Sequence, residues 1–160
     1  PPGSYTGAVN ATQLSDLGIE YCIIGHSERR HYFHETNVDI ASKARELVEV
    51  GITPVICLSK KDIHSQLAAL DDSDIKKSLF VYEPPSDIGG TETAPIEDIR
   101  ETTSLITSLT SSPVLYGGSV NAGNLEELLE LDLAGVLVST ASLRANSFIE
   151  LINRYNSLKG

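Results

Sequence analysis

The chain of 160 residues is long enough to bury the core of one domain, and its 41% hydrophobic and 21% charged residues are typical of a soluble globular protein. Its formal net charge of -10 argues against a nucleic-acid partner. No apolar run has the length needed to cross a membrane, and no secretory signal pattern opens the chain, so we expect a cytoplasmic protein without a membrane partner.

Short apolar runs alternate with longer amphipathic segments along the whole chain. In order, the predicted elements are strand 21–25, helix 37–50, strand 53–58, helix 61–70, strand 79–83, helix 95–109, strand 114–118, helix 121–131, strand 135–139 and helix 145–158. Such an alternation predicts an α/β fold of five parallel strand–helix units, with strands covered on both faces. Open doubly wound sheets and closed barrels both fit this pattern, and we expect residues 1–160 to form a single domain.

Residues with reactive or anion-binding groups follow three of the predicted strands. His26 follows the first, Glu83 ends the third, and a glycine-rich turn with Ser119 follows the fourth. Barrel enzymes place their chemistry at the carboxyl ends of strands. An imidazole, a carboxylate and an anion-binding turn at such positions predict proton transfer on a small anionic substrate.

Two further features bear on the organisation of the chain. Residues 84–93 form a predicted long loop with two prolines near its start, which we interpret as a lid, since long loops in compact domains are usually functional. Cys22 and Cys57 lie in apolar runs and predict buried reduced thiols. The chain contains no methionine and begins with Pro1, which we interpret as a sign that it is a piece of a longer protein.

Several motifs, in matching order and spacing, resemble the triosephosphate isomerase family. They are Tyr5-Thr6-Gly7-Ala8, Ile24-Gly25-His26-Ser27-Glu28-Arg29-Arg30, Gly51-Ile52-Thr53-Pro54-Val55-Ile56-Cys57, Tyr82-Glu83-Pro84, Ile88-Gly89 and Tyr116-Gly117-Gly118-Ser119-Val120-Asn121. The resemblance runs from about Gly3 to the C-terminus. It implies the last five of the family's eight units, and therefore a partial TIM (β/α)8 barrel.

The resemblance implies an enzyme that interconverts dihydroxyacetone phosphate and D-glyceraldehyde 3-phosphate through an enediol, in glycolysis and gluconeogenesis. Glu83 would be the catalytic base, and His26 would be the electrophile, held as a neutral imidazole near a helix N-terminus. The reaction would need no metal and no organic cofactor, because side chains carry the protons.

The resemblance also implies where the substrate phosphate binds. Gly89, Ser119, Ser139 and Thr140 would present backbone amides to it. Tyr116, together with Ser119, would hold the closed lid near Ala94 and Thr91.

Two sets of polar residues each allow two interpretations. Glu28 would be a buried partner of the catalytic histidine, although an ion pair with Arg29 or Arg30 is also consistent with the sequence. His31 and His34 with Glu35 suggest metal ligation, but a surface position at a helix start is favoured.

The chain also departs from the family pattern. The asparagine–lysine pair of the family's first strand has no counterpart here, and Ser139-Thr140 stands where the family has a Gly-Gly phosphate turn. We therefore expect the chain alone to be inactive and unstable. The resemblance implies a homodimer for the complete protein. Two alternatives are a sister aldose–ketose isomerase of another small sugar phosphate and a non-catalytic degenerate barrel.

Overall fold

The computed structural model describes residues 3–84 and 93–159, except for the side chain of residue 159. Two compact units divide the chain, Pro1–Phe80 and Val81–Gly160, called here unit 1 and unit 2. Expectations for Gly89 and Thr91 lie outside the described residues. The single-domain organisation stays a prediction.

Unit 1 has its core where a long helix lies against two strands. Its elements are α1 (Ala11–Asp16), β1 (Tyr21–Ile24), α2 (Ser27–Tyr32), α3 (Asn37–Glu49), β2 (Thr53–Leu58), α4 (Ile63–Ala69), α5 (Asp72–Ile75) and the start of β3 (Leu79–Tyr82). Ile40, Ala44 and Leu47 follow helical spacing along α3 and are buried. Residues 55–58 of β2 are buried without alternation, as in a strand covered on both faces.

The boundaries of α3 follow from its sequence. Thr36 and Asp39 form a reciprocal capping box at the start, in which each side chain accepts a hydrogen bond from the other's backbone N–H. Gly51 takes a φ of +80°, which a residue with a side chain rarely adopts, and so the chain leaves the helix there and enters β2.

Unit 2 has its core between the last strands and a second long helix. Its elements are the end of β3, α6 (Ile96–Thr110), β4 (Val114–Tyr116), α7 (Leu125–Leu129), β5 (Gly135–Val136), a 3-10 helix (Thr140–Ser142) and α8 (Ala145–Lys159). Ile99 and Ile106 of α6 are fully buried, as are Leu125 and Leu128 of α7.

The five parallel strands form one sheet in the order β1-β2-β3-β4-β5. This order confirms the predicted α/β class and agrees with a partial TIM barrel. Burial on both faces is confirmed for β2 but is wrong for β1, where Tyr21 is 59% exposed and Ile23 is 48% exposed. Alternate residues of a strand point to opposite faces, and one face of β1 is therefore left uncovered.

The two cysteines are free, as predicted. Cys57 is completely buried in β2, whereas Cys22, on the same face of β1 as the buried Ile24, is only partly buried. Burial raises the pKa of the Cys22 thiol, and Lys43 offsets part of that rise. A raised pKa keeps this thiol protonated near neutral pH.

A nearly buried carboxylate joins α2 to α3 within unit 1. Glu35, whose side chain is 8% exposed, accepts hydrogen bonds from Arg29 Nε at 2.5 Å and from Lys43 Nζ. Burial raises the pKa of Glu35, but the hydrogen bonds and positive charges of Lys43 and Arg29 outweigh it and hold the pKa below its ordinary value of 4.5. The ionised form is therefore favoured by folding.

This pairing predicts acid sensitivity. A carboxyl group whose pKa is lower in the folded state stabilises the protein above its unfolded-state pKa, and the stabilisation is lost as the pH falls through the folded-state value. We expect Glu35→Gln to lower the free energy of unfolding at pH 7 by about 1–3 kcal/mol and to flatten its decline below about pH 4.5. Urea unfolding at pH 7 and at stepwise lower pH measures both effects. Glu97→Gln, at an exposed ion pair with Arg100, is the control with little expected change. An unchanged acid dependence in Glu35→Gln would contradict the prediction.

Candidate functional site

His26 lies at the carboxyl end of β1, where the chain turns from strand to helix. Gly25 takes a φ of +71°, and His26 then serves as the N-cap of α2. A Cβ on Gly25 would lie 3.2 Å from the backbone oxygen of Cys57 in the adjacent strand β2 and 3.3 Å from Ile40 Cδ1. Glycine is therefore needed here both for its backbone conformation and for the close approach of the neighbouring strand.

The imidazole of His26 is oriented by the start of α2. Its Nδ1 accepts a hydrogen bond from the backbone N–H of Glu28 at 3.3 Å. A nitrogen that accepts in this way carries no proton, and the proton of the neutral ring is therefore on Nε2. One third of the side chain is exposed, which leaves the ring within reach of a bound molecule. This geometry makes His26 a hydrogen-bond donor through Nε2.

The polar residues around His26 differ in part from expectation. The resemblance predicts a buried Glu28, but 64% of its side chain is exposed, because the short helix α2 has no buried residue. Its carboxylate lies 4.0 Å from His26 Nδ1, whereas Arg29 pairs with Glu35. His31 is exposed as expected, but it lies in the last turn of α2 and not at a helix start.

The backbone conformation of Gly25 leads to a stability prediction. Gly25→Ala forces a side chain into the left-handed region, at about 1–2 kcal/mol, and adds the close contact with Cys57. Gly51→Ala is the matched control, since Gly51 also has a positive φ but a Cβ there meets no atom within 4 Å. We expect Gly25→Ala to lower the free energy of unfolding more than Gly51→Ala, as measured with urea. Equal losses would mean that the contact with Cys57 is relieved without cost.

In unit 2, Glu83 follows β3 directly and is 6% exposed. The neighbouring strand β4 continues into Gly117, whose N–H donates to the carbonyl of Tyr82 at 2.9 Å. A Cβ on Gly117 would lie 2.5 Å from Val81 Cγ1 and 3.5 Å from Glu83 Cγ. The backbone after β4 thus lies beside Glu83, and a side chain at position 117 would collide with Val81, two residues before it.

Tyrosines from β3 and β4 connect this strand end to the chain before α6. The Tyr116 hydroxyl, fully buried, accepts a hydrogen bond from the backbone N–H of Ala94 at 3.4 Å. Tyr82 donates to Asp98 Oδ2 at 2.8 Å, and the two tyrosine rings lie 6.3 Å apart. The resemblance implies that Tyr116 lies near Ala94, and this contact is present, whereas no sequence pattern indicates the contact of Asp98.

Two turns follow β4 and β5 in unit 2. The carbonyl of Ser119 accepts from Asn124 Nδ2 at 2.7 Å, and the N–H of Asn121 donates to Asn124 Oδ1 at 2.9 Å. Ser139 and Thr140 open the 3-10 helix and are both exposed. Because β3, β4 and β5 run parallel, Glu83 and both turns lie at the same edge of the sheet.

Unit 2 therefore brings Glu83, Tyr116, Ser119, Ser139 and Thr140 to one strand-end edge, and unit 1 brings His26 and Glu28 together. Sequence reasoning missed the polar contacts of Asp98 and of the second asparagine, Asn124. The spacing Asn121-x-x-Asn124 was the available signal for the turn after β4.

Neither a metal-binding cluster nor a membrane-spanning helix is found among the residues that the structure describes. Among residues 3–84 and 93–159, no three His, Cys, Asp or Glu side chains group in a way that could hold a metal ion. Within the same ranges, no helix combines the length and apolar character needed to cross a membrane.

Nearly the whole chain matches one family of known proteins. The family model described as "Triosephosphate isomerase" matches residues 1–155. Three relatives carry the same name. The one from Mesomycoplasma hyorhinis is 39% identical, and the match covers 94% of this chain and 68% of the relative. The one from Mycoplasmopsis agalactiae is 40% identical over 94% of this chain and 65% of the relative, and the one from Francisella tularensis subsp. holarctica is 34% identical over 98% of this chain and 72% of the relative. The chain thus spans about two thirds of the length of these relatives.

Proposed function

Because the chain belongs to the triosephosphate isomerase family, we propose that it carries the base and the electrophile of an enzyme that interconverts dihydroxyacetone phosphate and D-glyceraldehyde 3-phosphate. The proposal places this enzyme in glycolysis and gluconeogenesis, in the cytoplasm. The observation that carries it is the hydrogen bond from the Glu28 N–H to His26 Nδ1, which leaves Nε2 as the donor nitrogen.

The proposed chemistry is a proton transfer between adjacent carbons. Glu83 removes a proton from the carbon next to the carbonyl and returns it to the neighbouring carbon of the enediol. His26 donates a hydrogen bond through Nε2 to the substrate oxygen on which negative charge develops. Burial of Glu83 supports this role, since it keeps bulk water away from the proton that is transferred.

The proposed phosphate site uses the turns at the strand ends. Ser119, Ser139 and Thr140 present backbone amides to the phosphate, together with Gly89, which lies outside the described residues. Tyr116 holds the chain at Ala94, close to the start of α6, and so fixes one end of the proposed lid.

A direct assay tests the proposal. Isomerisation of glyceraldehyde 3-phosphate is measured with the chain alone and with the chain joined to the part of the Mesomycoplasma hyorhinis relative that it does not cover, here called the extended enzyme. We expect activity in the extended enzyme and little in the chain alone, since the asparagine–lysine pair expected of the family is supplied by the added part. An extended enzyme that folds and remains inactive would contradict the proposal and favour a non-catalytic barrel.

Homodimerisation is a separate part of the proposal. We expect the extended enzyme to sediment as a dimer in analytical ultracentrifugation. A monomeric species at micromolar concentration with full activity would contradict it.

The exposed pair Ser139-Thr140 favours a second candidate, an aldose–ketose isomerase of another small sugar phosphate. The side chains of Ser139 and Thr140 narrow the space beside the backbone amides of this turn. A sugar phosphate whose phosphate lies farther from the turn than that of a triose phosphate would fit this narrower space. Comparing kcat/KM of the extended enzyme for triose and tetrose phosphates separates the two. A preference for the tetrose would overturn the first candidate.

The same turn gives a binding prediction. Replacing both residues, Ser139→Gly with Thr140→Gly, removes two Cβ atoms beside the proposed phosphate site, and we expect affinity for glycerol 3-phosphate to rise about two- to fivefold. Isothermal titration of the extended enzyme measures it. Ser111→Gly is the control, since Ser111 precedes β4 and lies at the opposite end of that strand. Unchanged affinity in the double variant would mean that these side chains already leave room for the phosphate.

A further inference from the structure

The side chain of Arg30 makes three hydrogen bonds within unit 1. Its Nε donates to the carbonyl of Gly25 at 2.8 Å, its Nη1 to Asn37 Oδ1 at 2.7 Å and its Nη2 to Gln66 Oε1 at 2.9 Å. All three acceptors are neutral oxygens. A guanidinium that gives up part of its hydration for neutral partners loses solvation free energy, which makes a purely electrostatic role a poor explanation for its position.

Arg30 holds the backbone on both sides of His26. Its side chain binds the carbonyl of Gly25, the residue before His26, and its backbone N–H donates to the carbonyl of His26 itself at 3.1 Å. Arg30 therefore contacts both peptide groups that flank the histidine Cα, and the Arg29 N–H adds a second hydrogen bond to the His26 carbonyl at 2.9 Å. With both fixed, the direction in which the imidazole leaves the backbone is set as well.

The acceptors of Arg30 are themselves held in place. Gln66 of α4 is completely buried, and its Nε2 donates to the backbone carbonyl of Asn37 at 3.1 Å. Asn37, the first residue of α3, donates through Nδ2 to Ser65 Oγ at 3.0 Å. The network therefore connects the turn of His26 to two helices of unit 1. Each acceptor of an Arg30 side-chain nitrogen in these helices is itself held by a further hydrogen bond.

We propose that Arg30 is a positioning residue for His26, which keeps the histidine Nδ1 at the Glu28 N–H and thereby keeps the ring proton on Nε2. The importance of this positioning for catalysis rests on the proposed function. The hydrogen bond between Glu28 and His26 does not depend on the proposed function. The positioning and the function are therefore tested by different measurements.

Nitrogen NMR of the extended enzyme labelled with 15N-histidine tests the positioning. The chain has four histidines, and the spectrum of His26→Gln identifies the signals of His26. We expect one Nε2–H tautomer in the unsubstituted enzyme and a mixture of both tautomers in Arg30→Met, which keeps the length of the side chain but cannot donate. Hydrogen exchange of the Glu28 amide is expected to rise about five- to tenfold in the same variant, as for the loss of one hydrogen bond.

Two variants serve as controls. Arg45→Met removes an exposed arginine of α3 that pairs with Asp71, and it is expected to leave the tautomer of His26 unchanged. Arg30→Lys keeps the positive charge but not the planar fork of donors, and it is expected to give an intermediate mixture. If Arg30→Met fails to fold by circular dichroism, Arg30→Lys carries the test.

A single Nε2–H tautomer with slow exchange of the Glu28 amide in the folded Arg30 variants would overturn the inference. The extended enzyme separates this failure from failure of the proposed function. If the tautomer responds to Arg30→Met but the extended enzyme is inactive, the positioning stands and the function does not. If both stand, we expect kcat of the extended enzyme to fall in Arg30→Met while KM stays within about twofold, because positioning acts on the transition state.

Discussion

Glu83→Gln is expected to lower kcat of the extended enzyme by about 10²–10⁴-fold, the usual contribution of a general base. Glutamine has nearly the same shape as glutamate but cannot accept the proton, while the nearly complete burial of Glu83 leaves little room for water to replace it. Initial rates with glyceraldehyde 3-phosphate, and with dihydroxyacetone phosphate in the reverse direction, give the size of the loss.

The fold of this variant is expected to remain intact. Glutamine fills the same volume beside the backbone of Gly117, where a Cβ would lie 3.5 Å from Glu83 Cγ. Circular dichroism and urea unfolding check this expectation. Glu127→Gln, an exposed residue of α7, is the control with unchanged kcat. A Glu83→Gln enzyme that kept most of its rate would show that the base is another residue.

His26→Gln is the second large effect that we expect. It should lower kcat by about 10²–10³-fold with a smaller change in KM, because a donor aimed at developing charge acts mainly in the transition state. Glutamine can still bond to the Glu28 N–H, but its amide does not reproduce the position of Nε2. Steady-state kinetics of the extended enzyme measure kcat and KM separately.

His31→Gln provides the matched control for His26. His31 lies in the same short helix, is exposed, and contacts the ring of Tyr32. We expect it to keep the kinetic constants of the unsubstituted enzyme. If His26→Gln raised KM and left kcat unchanged, His26 would bind substrate without stabilising the transition state.

The long elements of the fold were predictable because burial and periodicity agree along them. Strand β2 has the predicted limits 53–58, and α3 and α8 each differ from prediction by one residue at one end. No bounds were predicted for the short helices α1, α2 and α5, because so few residues seldom establish a helical period. Asn10 and Gln13 form a capping box at α1, a local signal that was present in the sequence.

Burial was harder to predict than strand position. The apolar residues of β1 resemble those of β2, yet Tyr21 and Ile23 are exposed, because burial depends on what covers a strand and not on the strand's own residues. Glu28 shows the same limit. Its place in the motif predicted a buried carboxylate, whereas the short helix turns that side chain outward.

For the site, the sequence indicated which residues follow the strands but not how they are held. His26 and Glu83 were chosen from their strand-end positions, and their catalytic roles stay predictions. The contact of Arg30 with Gln66 was not predictable, since the two residues are 36 positions apart and each is a common surface residue type. Contacts of this kind depend on tertiary packing, which local patterns do not report.

The close approach at Gly117 has a consequence for how the protein can change during evolution. A side chain at that position would collide with Val81, two residues before Glu83, and so the strand that carries the carboxylate is tied to a glycine that follows a different strand. Ser139 and Thr140 are exposed and have no comparable restraint. Under the proposed function, substitutions at the turn after β5 would alter the phosphate site while the strand that carries the carboxylate stays in register.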